Sequence, residues 1–432
     1  MDYVQQGFDV KVLNSMNPLW FLTLIPIALL YVFLSSATGY TAINVNTLPA
    51  LFNPYYGIEW IPGPLFNTLV KIPLIIADIG TALILYRLLK RFSKTELTDT
   101  LVSLYYLNPM LIWISSAWGQ NDSIPSLFTI FSLYLLLDNK TVYSALSLLL
   151  ATLFKLYPVI FILPVFIYLL KKKNKKALIT YLLVFITPLV ILLLLSGERT
   201  IDNLFITIFS HFTPINTFYD IFGFGLTYWS WSMIFPMDPY VWAPVTILIM
   251  VALLGTTLMF VLKSKFDDPL RSLMITTFLV SASFFLSMRL VNEDRFVWLL
   301  PIIVLMMGER IVSLKSFGLV SLVAFIYTQK NFPYYLLPVA TLNKNVLLPL
   351  FYVAAPFGKV VQGILLPTSI GAFILATIGT VFSILLLSMY IRGLRELKPN
   401  KSSNSIYICE PDKVDALKIK TGFINSELPY DN

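Results

Sequence analysis

Asp122 is the carboxylate best placed to do chemistry. It ends the turn Trp118-Gly119-Gln120-Asn121-Asp122, which separates two apolar runs. A carboxylate facing water and headgroups there can stay ionised and take a proton from a sugar hydroxyl. It can instead hold a divalent cation together with Gln120 or Asn121. It can also cap a helix, because Asn121, Asp122 and Ser123 precede Ile124-Pro125 and proline suits a first helical turn. Lys155, just before Tyr157-Pro158, offers a cation at headgroup depth for a lipid phosphate, or simply snorkels to the interface. Arg289 and Arg295 flank Asn292-Glu293-Asp294, a polar group suited to a charged, hydroxyl-rich ligand or to a solvated turn whose charges pair locally. His211 can bind phosphate or donate a proton, or be structural. Glu59, beside Trp60, reads as a loop acid unless other residues raise its standing. Asp78 lies mid-run in Lys71-Ile72-Pro73-Leu74-Ile75-Ile76-Ala77-Asp78. It shares a helix face with Lys71 but sits two turns away, so a polar neighbour on another helix is its expected partner.

The elements that must position these residues are membrane helices. The chain has 432 residues, 57% hydrophobic and only 12% charged, about half the charge a soluble domain carries. Aromatics make up 15%, including 23 Tyr and 8 Trp, which suits side chains at headgroup level. A single Cys409 excludes an intramolecular disulfide, and a single His excludes a histidine zinc cluster. The net charge of +8 falls in short runs between apolar segments, which points to membrane topology and away from nucleic acid.

Spanning-length apolar runs cover 18–36, 66–89, 98–117, 124–138, 141–157, 159–170, 177–195, 241–262, 270–288, 295–308, 312–328 and 368–391. The fold class expected is an all-α membrane protein of about twelve transmembrane helices. Basic clusters at Lys90-Arg91, Lys171 to Lys176, Lys263 with Lys265, and Arg392 with Arg395 then fall together on the cytoplasmic side, with both termini. The run from Pro18 reads as the first membrane helix, with no cleavable signal peptide before it. The outer segments 37–65, 196–240 and 329–367 are aromatic-rich and expected to lie on or dip into the outer leaflet as amphipathic or re-entrant pieces. Residues 1–397 form the membrane domain, and 398–432 a short polar tail.

Trp118-Gly119-Gln120-Asn121-Asp122, Lys155-Leu156-Tyr157-Pro158, and Asn292-Glu293-Asp294-Arg295-Phe296-Val297-Trp298, with Lys71-Ile72-Pro73 and Asp78, resemble signatures of the C-type polytopic glycosyltransferases. The resemblance covers roughly 50–310 and is nearest to the branch holding GPI mannosyltransferase catalytic subunits and their prokaryotic relatives. It implies a polyprenyl-phosphate sugar donor, commonly a dolichyl-phosphate mannose. It also implies transfer to a lipid-linked or glycan acceptor on the non-cytoplasmic face, with inversion, in a cell membrane or endoplasmic reticulum. The resemblance further implies that an acid acts as base, with Asp122 the first candidate and Glu59 the second. Gln120, Asn121, Lys155, Tyr157, His211, Arg289, Asn292, Glu293 and Arg295 are the residues expected to contact substrate. No cofactor is fixed, and a divalent metal stays open. The family usually places an Asp in the first outer segment, whereas 37–65 holds only Glu59. Two other readings compete: a transporter or flippase of lipid-linked saccharides, with polar groups at the bilayer midplane, and a non-catalytic subunit of a glycosylation complex.

Overall fold

A computed structural model of the chain describes residues 18–38, 43–44, 60–61, 64–93, 96–196, 226–235, 239–264, 268–288, 291, 293–329 and 370–397. Fourteen α-helices are defined among them: α1 (Pro18–Thr38), α2 (Pro64–Leu88), α3 (Thr98–Tyr106), α4 (Pro109–Ile112), α5 (Ser123–Leu137), α6 (Thr141–Phe154), α7 (Ile162–Lys171), α8 (Lys175–Ser196), α9 (Trp231–Ile234), α10 (Pro239–Lys263), α11 (Pro269–Ser287), α12 (Phe296–Gly308), α13 (Leu314–Thr328) and α14 (Ile370–Glu396). Each predicted apolar run contains helix. The all-α expectation holds, with one two-residue antiparallel pair, Ile43–Asn44 with Trp60–Ile61, in the connection between α1 and α2. Among the described residues, four helical stretches are long and apolar enough to cross a membrane: Pro64–Arg91, Lys175–Leu192, Pro244–Lys263 and Phe373–Glu396. Most of the other apolar helices are shorter.

The run 98–117 is not one helix. Proline disfavours helical backbone in the residue before it, and Asn108 before Pro109 is extended, with ψ 123°. Its side chain turns back to accept the Met110 N–H at 2.9 Å and donates to Ser321 Oγ at 3.0 Å. The chain then widens into a π-helical turn, Trp113–Trp118. It is released by Gly119 at φ +82°, a conformation that L side chains rarely adopt. Both the Gly119 and Gln120 N–H groups bond to the Ile114 carbonyl at 3.0 Å.

Helix α12 is the centre of the core. Every residue from Phe296 to Gly308 is buried, and α11, α3, α5, α13 and α2 pack around it. The closest antiparallel pair is α5 with α6. Ser132 Oγ donates to the Ser144 carbonyl and Ser144 Oγ to the Ser132 carbonyl, each at 2.8 Å, while Ser147 Oγ donates to Phe128 O at 2.7 Å. Small residues allow this approach where apolar burial gives no drive between helices.

Three hairpins turn at one end of the bundle, each with a non-glycine residue in the left-handed region: Asn139 (φ 59°), Lys173 (φ 54°) and Arg310 (φ 59°). Each closes the two-bond left-handed cap of a helix end, as in Lys140 N–H to Leu135 O at 2.8 Å and Asn139 N–H to Leu136 O at 3.0 Å. The same end collects Arg91 with Asp138, Lys140 with Asp138 at 3.3 Å, and Arg271 with Glu396. There Lys171 donates to the Val261 carbonyl and, at 2.7 Å, to the Ser264 carbonyl, closing the end of α10. Helices α5, α6, α7 and α12 each run between this basic end and the opposite one.

At the opposite end, residues 226–235 dock on α11 and α14. Tyr228 OH and Trp229 Nε1 both donate to Leu286 O, at 2.9 and 3.1 Å. Trp231 Nε1 donates to Thr380 Oγ1 at 2.8 Å. Gly379 makes this approach possible: a Cβ there would lie 2.5 Å from the Thr227 carbonyl oxygen, backbone against backbone. Gly379→Ala is therefore expected to cost about 1–3 kcal/mol of stability and to change the tryptophan emission. Gly318→Ala, with nothing within 4 Å of the added carbon, should be neutral or slightly stabilising. Thermal unfolding in detergent, followed by fluorescence, compares the two.

Candidate active site

Three connections between helices, distant in sequence, meet at the end opposite the basic turns. The turn before α5 brings Asp122, the extended residue after α6 brings Lys155, and the 3-10 turn before α12 brings Asp294. Lys155 Nζ lies 2.6 Å from Asp122 Oδ2 and 3.2 Å from Asp294 Oδ2. Asp122 is fully buried, Asp294 nearly so, and the Lys155 side chain is 21% exposed. Two carboxylates thus share one ammonium in a largely dry setting.

Asp122 occupies the position before α5 but its side chain caps nothing. The capping reading therefore fails, and the turn aims the carboxylate sideways at Lys155. Nor does it face water, as the sequence suggested, because the Lys155 and Asp294 connections close over it. Lys155 in turn spends its ammonium on carboxylates, whereas the sequence had offered it to a phosphate. A lone buried cation would be costly, and paired acids are what make its burial tolerable.

The sharing sets the proton balance. Burial, opposed by Lys155 and reinforced by Asp294, pushes the Asp122 carboxyl up to about 7. Burial acts on Asp294 too, but Lys155 and Arg295 outweigh it and hold that carboxyl below the usual range. Burial works against the Lys155 charge, yet Asp122 and Asp294 more than compensate and raise its pKa. Below about pH 7 the two acids hold one proton between them, and above it they lose it, with Asp122 as the group that exchanges it. Asp122 Oδ1 closes no hydrogen bond, which leaves that oxygen for a proton.

Tyr157 lies beside the triad, its hydroxyl 3.5 Å from the Asp122 carbonyl oxygen. Its ring stacks on Trp298 with centroids 4.6 Å apart. The Arg295 N–H donates to Asp294 Oδ1 at 3.0 Å, and the Arg295 guanidinium is close enough to bias both Asp294 and Lys155. Gln120 is half-buried and Asn121 is buried in the same turn. Below it, Lys71 donates to the Ala117 carbonyl at 2.7 Å, so it fastens the end of the π-helical turn. Asp78 faces the hydroxyls of Ser115 and Ser123 on neighbouring elements, in line with the expected polar partner. Among the described residues, no three His, Cys, Asp or Glu gather as a metal site.

Of the sequence candidates, Asp122, Gln120, Asn121, Lys155, Tyr157 and Arg295 come together here. Glu59, His211, Arg289 and Asn292 lie outside the described residues, and of Glu293 only the backbone is described. Asp294 had been read only as part of a polar turn, and it proves to be the second acid of the triad. The available signal was its place directly before Arg295 and an all-apolar helix.

Asp122 and Lys155 of the triad fall within one homologous region, and Asp294 lies two residues past its end. The sequence profile of Glycosyltransferase family 87 matches residues 58–292, more than half of the chain. The chain belongs to glycosyltransferase family 87. This family 87 chain is also similar to GPI mannosyltransferase 1 of Kluyveromyces lactis, at 30% identity over 129 residues, 30% of each chain. It is 32% identical to GPI mannosyltransferase 1 of Candida albicans over 124 residues, 27% of this chain and 31% of that protein. With the Saccharomyces cerevisiae GPI mannosyltransferase 1 it shares 29% over 106 residues, 24% of this chain and 26% of the other. The alignments thus span about a third or less of the length of these relatives. Family membership and the apolar helices make this an integral membrane protein of the glycosyltransferase class.

Proposed function

We propose that this family 87 protein transfers mannose from a polyprenyl-phosphate donor to a hydroxyl of a lipid-linked or glycan acceptor, inverting the anomeric centre. The observation that carries the reading is the convergence of Asp122, Lys155 and Asp294 beside the Tyr157–Trp298 ring pair, at the end of the bundle away from the basic turns. In this scheme the acceptor oxygen attacks the anomeric carbon as Asp122 Oδ1 takes its proton. The bond from that carbon to the phosphate oxygen breaks, and its electron pair leaves with the polyprenyl phosphate. A single in-line displacement gives inversion. Arg295 and Arg289 hold the donor phosphate, while Lys155 orients the two acids. Gln120, Asn121, Asn292, Glu293 and His211 contact the sugars, and Glu59 is a second candidate base. The half-buried Tyr157 ring, backed by the buried Trp298, offers a flat apolar wall to a sugar face.

The basic turns belong in the cytoplasm, so transfer occurs on the far side, with about twelve crossings and both termini inside. A transporter would place its polar groups near the midplane. Grouping at one end, where a polyprenyl phosphate presents its headgroup, favours an interfacial enzyme. The similarity to GPI mannosyltransferase 1 over the matched region supports mannose as the sugar.

The proton balance gives a test. A base that titrates near 7 is disabled below that pH, so kcat/KM should rise with pH and level off above it. Asp294→Asn removes a neighbouring negative charge that holds the Asp122 proton, so the acid limb should move to lower pH. Profiles measured in membranes with labelled polyprenyl-phosphate mannose check both, and an unmoved limb in Asp294→Asn would remove Asp122 as the titrating base.

A further inference from the structure

The connection from α11 to α12 carries Asp294, and one short segment fastens it at two places. Leu286 lies in the last turn of α11, where carbonyls lose their helical donors. Tyr228 OH and Trp229 Nε1 both answer that carbonyl, at 2.9 and 3.1 Å. Farther along, the Leu226 N–H donates to the Val291 carbonyl at 2.7 Å, three residues before Asp294. The segment is anchored in turn on α14. The Tyr228 N–H donates to Ser383 Oγ at 2.9 Å, and Gly379 admits the Thr227 backbone. Phe382, in the same stretch of α14, packs on Phe285 before the connection and on Phe296 after it, with centroids 6.4 and 5.5 Å apart. A tryptophan of the headgroup belt keeps its polar edge at the interface. Trp229 is instead 3% exposed and gives its N–H to the protein's own backbone.

We propose that Tyr228 and Trp229 are positioning residues for the triad: with the Leu226 N–H they fix the α11–α12 connection and so hold Asp294 against Lys155. The Asp294 turn is a three-residue 3-10 piece, Glu293–Arg295. Its own bond, from the Arg295 N–H to Asp294 Oδ1 at 3.0 Å, orients the carboxyl but does not fix where the turn sits. The 3.2 Å contact with Lys155 therefore depends on what fastens the connection, and an ionic contact weakens as its partners separate. Lys155 and Asp294 are the charged groups set against Asp122, and Arg295 acts on both. With the fastening loosened, Lys155 turns to Asp122 alone, and Asp122 loses the neighbouring negative charge that helps hold its proton. The consequence for catalysis rests on the sugar-transfer reading, whereas the placement of Asp294 does not.

The test is a set of melting temperatures of the purified full chain in detergent. Tyr228→Phe with Trp229→Phe removes both donors to Leu286 O and keeps an aromatic ring at each position. In that background, the recovery that Asp294→Asn gives to Lys155→Met should fall to about half or less of its size in the parent, because residues that act through one another are not additive. Tyr228→Phe alone, the milder variant should the pair fail to fold, should reduce the recovery in the same direction. A purely structural role lowers every melting temperature alike, so an undiminished recovery would overturn the proposal. Absence of recovery in the parent would overturn it too, since Lys155 would then not hold Asp294. In sugar transfer, Tyr228→Phe should move the acid limb of kcat/KM to lower pH, and should move it no further once Asp294→Asn is present. An unmoved limb would count against the proposal, whereas a parent without transfer would remove the sugar-transfer reading and leave the melting temperatures to decide.

Discussion

Asp122→Asn is expected to lower sugar transfer by about 10²–10⁴-fold, the usual contribution of a positioned acid–base group, with the protein still folded. Asparagine keeps the shape of the buried side chain and removes its charge and basicity. The remaining Lys155–Asp294 pair, 3.2 Å apart, is then balanced, so no buried charge is stranded. The separation of activity from stability is what identifies a base. Membranes containing the variant, supplied with labelled polyprenyl-phosphate mannose and acceptor, give the rate, and melting of the purified protein gives the fold. Transfer at the parent rate would clear Asp122 of the catalytic role, and Glu59→Gln would then be the variant to assay.

Lys155→Met should do the opposite and unfold what Asp122→Asn spares. It leaves two carboxylates facing one another in a buried site, and removing one partner of such a pair typically costs about 3–5 kcal/mol. The loss should be largely recovered by adding Asp294→Asn. The surviving Asp122 can take a proton near neutrality, so the double variant strands no charge. Melting temperatures of the parent, single and double variants decide it. A Lys155→Met protein as stable as the parent would show that the ammonium does not hold the triad together, which would free it for a phosphate. Recovery in the double variant is the stronger test, because an isosteric aspartate-to-asparagine change removes charge without restoring the packing lost at Lys155.

The apolar runs and basic turns were legible because the bilayer imposes length and hydropathy on each helix separately. The turn Gly119-Gln120-Asn121-Asp122 was legible for the same reason, as a polar interruption between two such runs. What stayed hidden is contact between connections. Asp122 and Lys155 lie 33 residues apart, and Lys155 and Asp294 lie 139 apart. Nothing local tells a reader that these two turns share a partner. Between the adjacent acids Glu293 and Asp294, the sequence could not say which one the 3-10 turn sends to Lys155. The break at Asn108-Pro109 inside 98–117 carried a proline signal, but hydropathy smoothed over it. Burial of Asp122 was not predictable from a turn composition that suits water equally well.

Helix α12 raises a question of biogenesis. At 13 residues with no charge it reaches only about 20 Å, too short to cross a bilayer unaided. In the finished protein it touches little lipid, since every residue is buried. It should therefore leave the translocon with a companion. The tight left-handed cap at Arg310, which folds α12 directly back toward α13, makes that hairpin the natural unit of membrane insertion. The Asp294 carboxylate at its leading edge would then meet Lys155 only once the earlier helices were already in place.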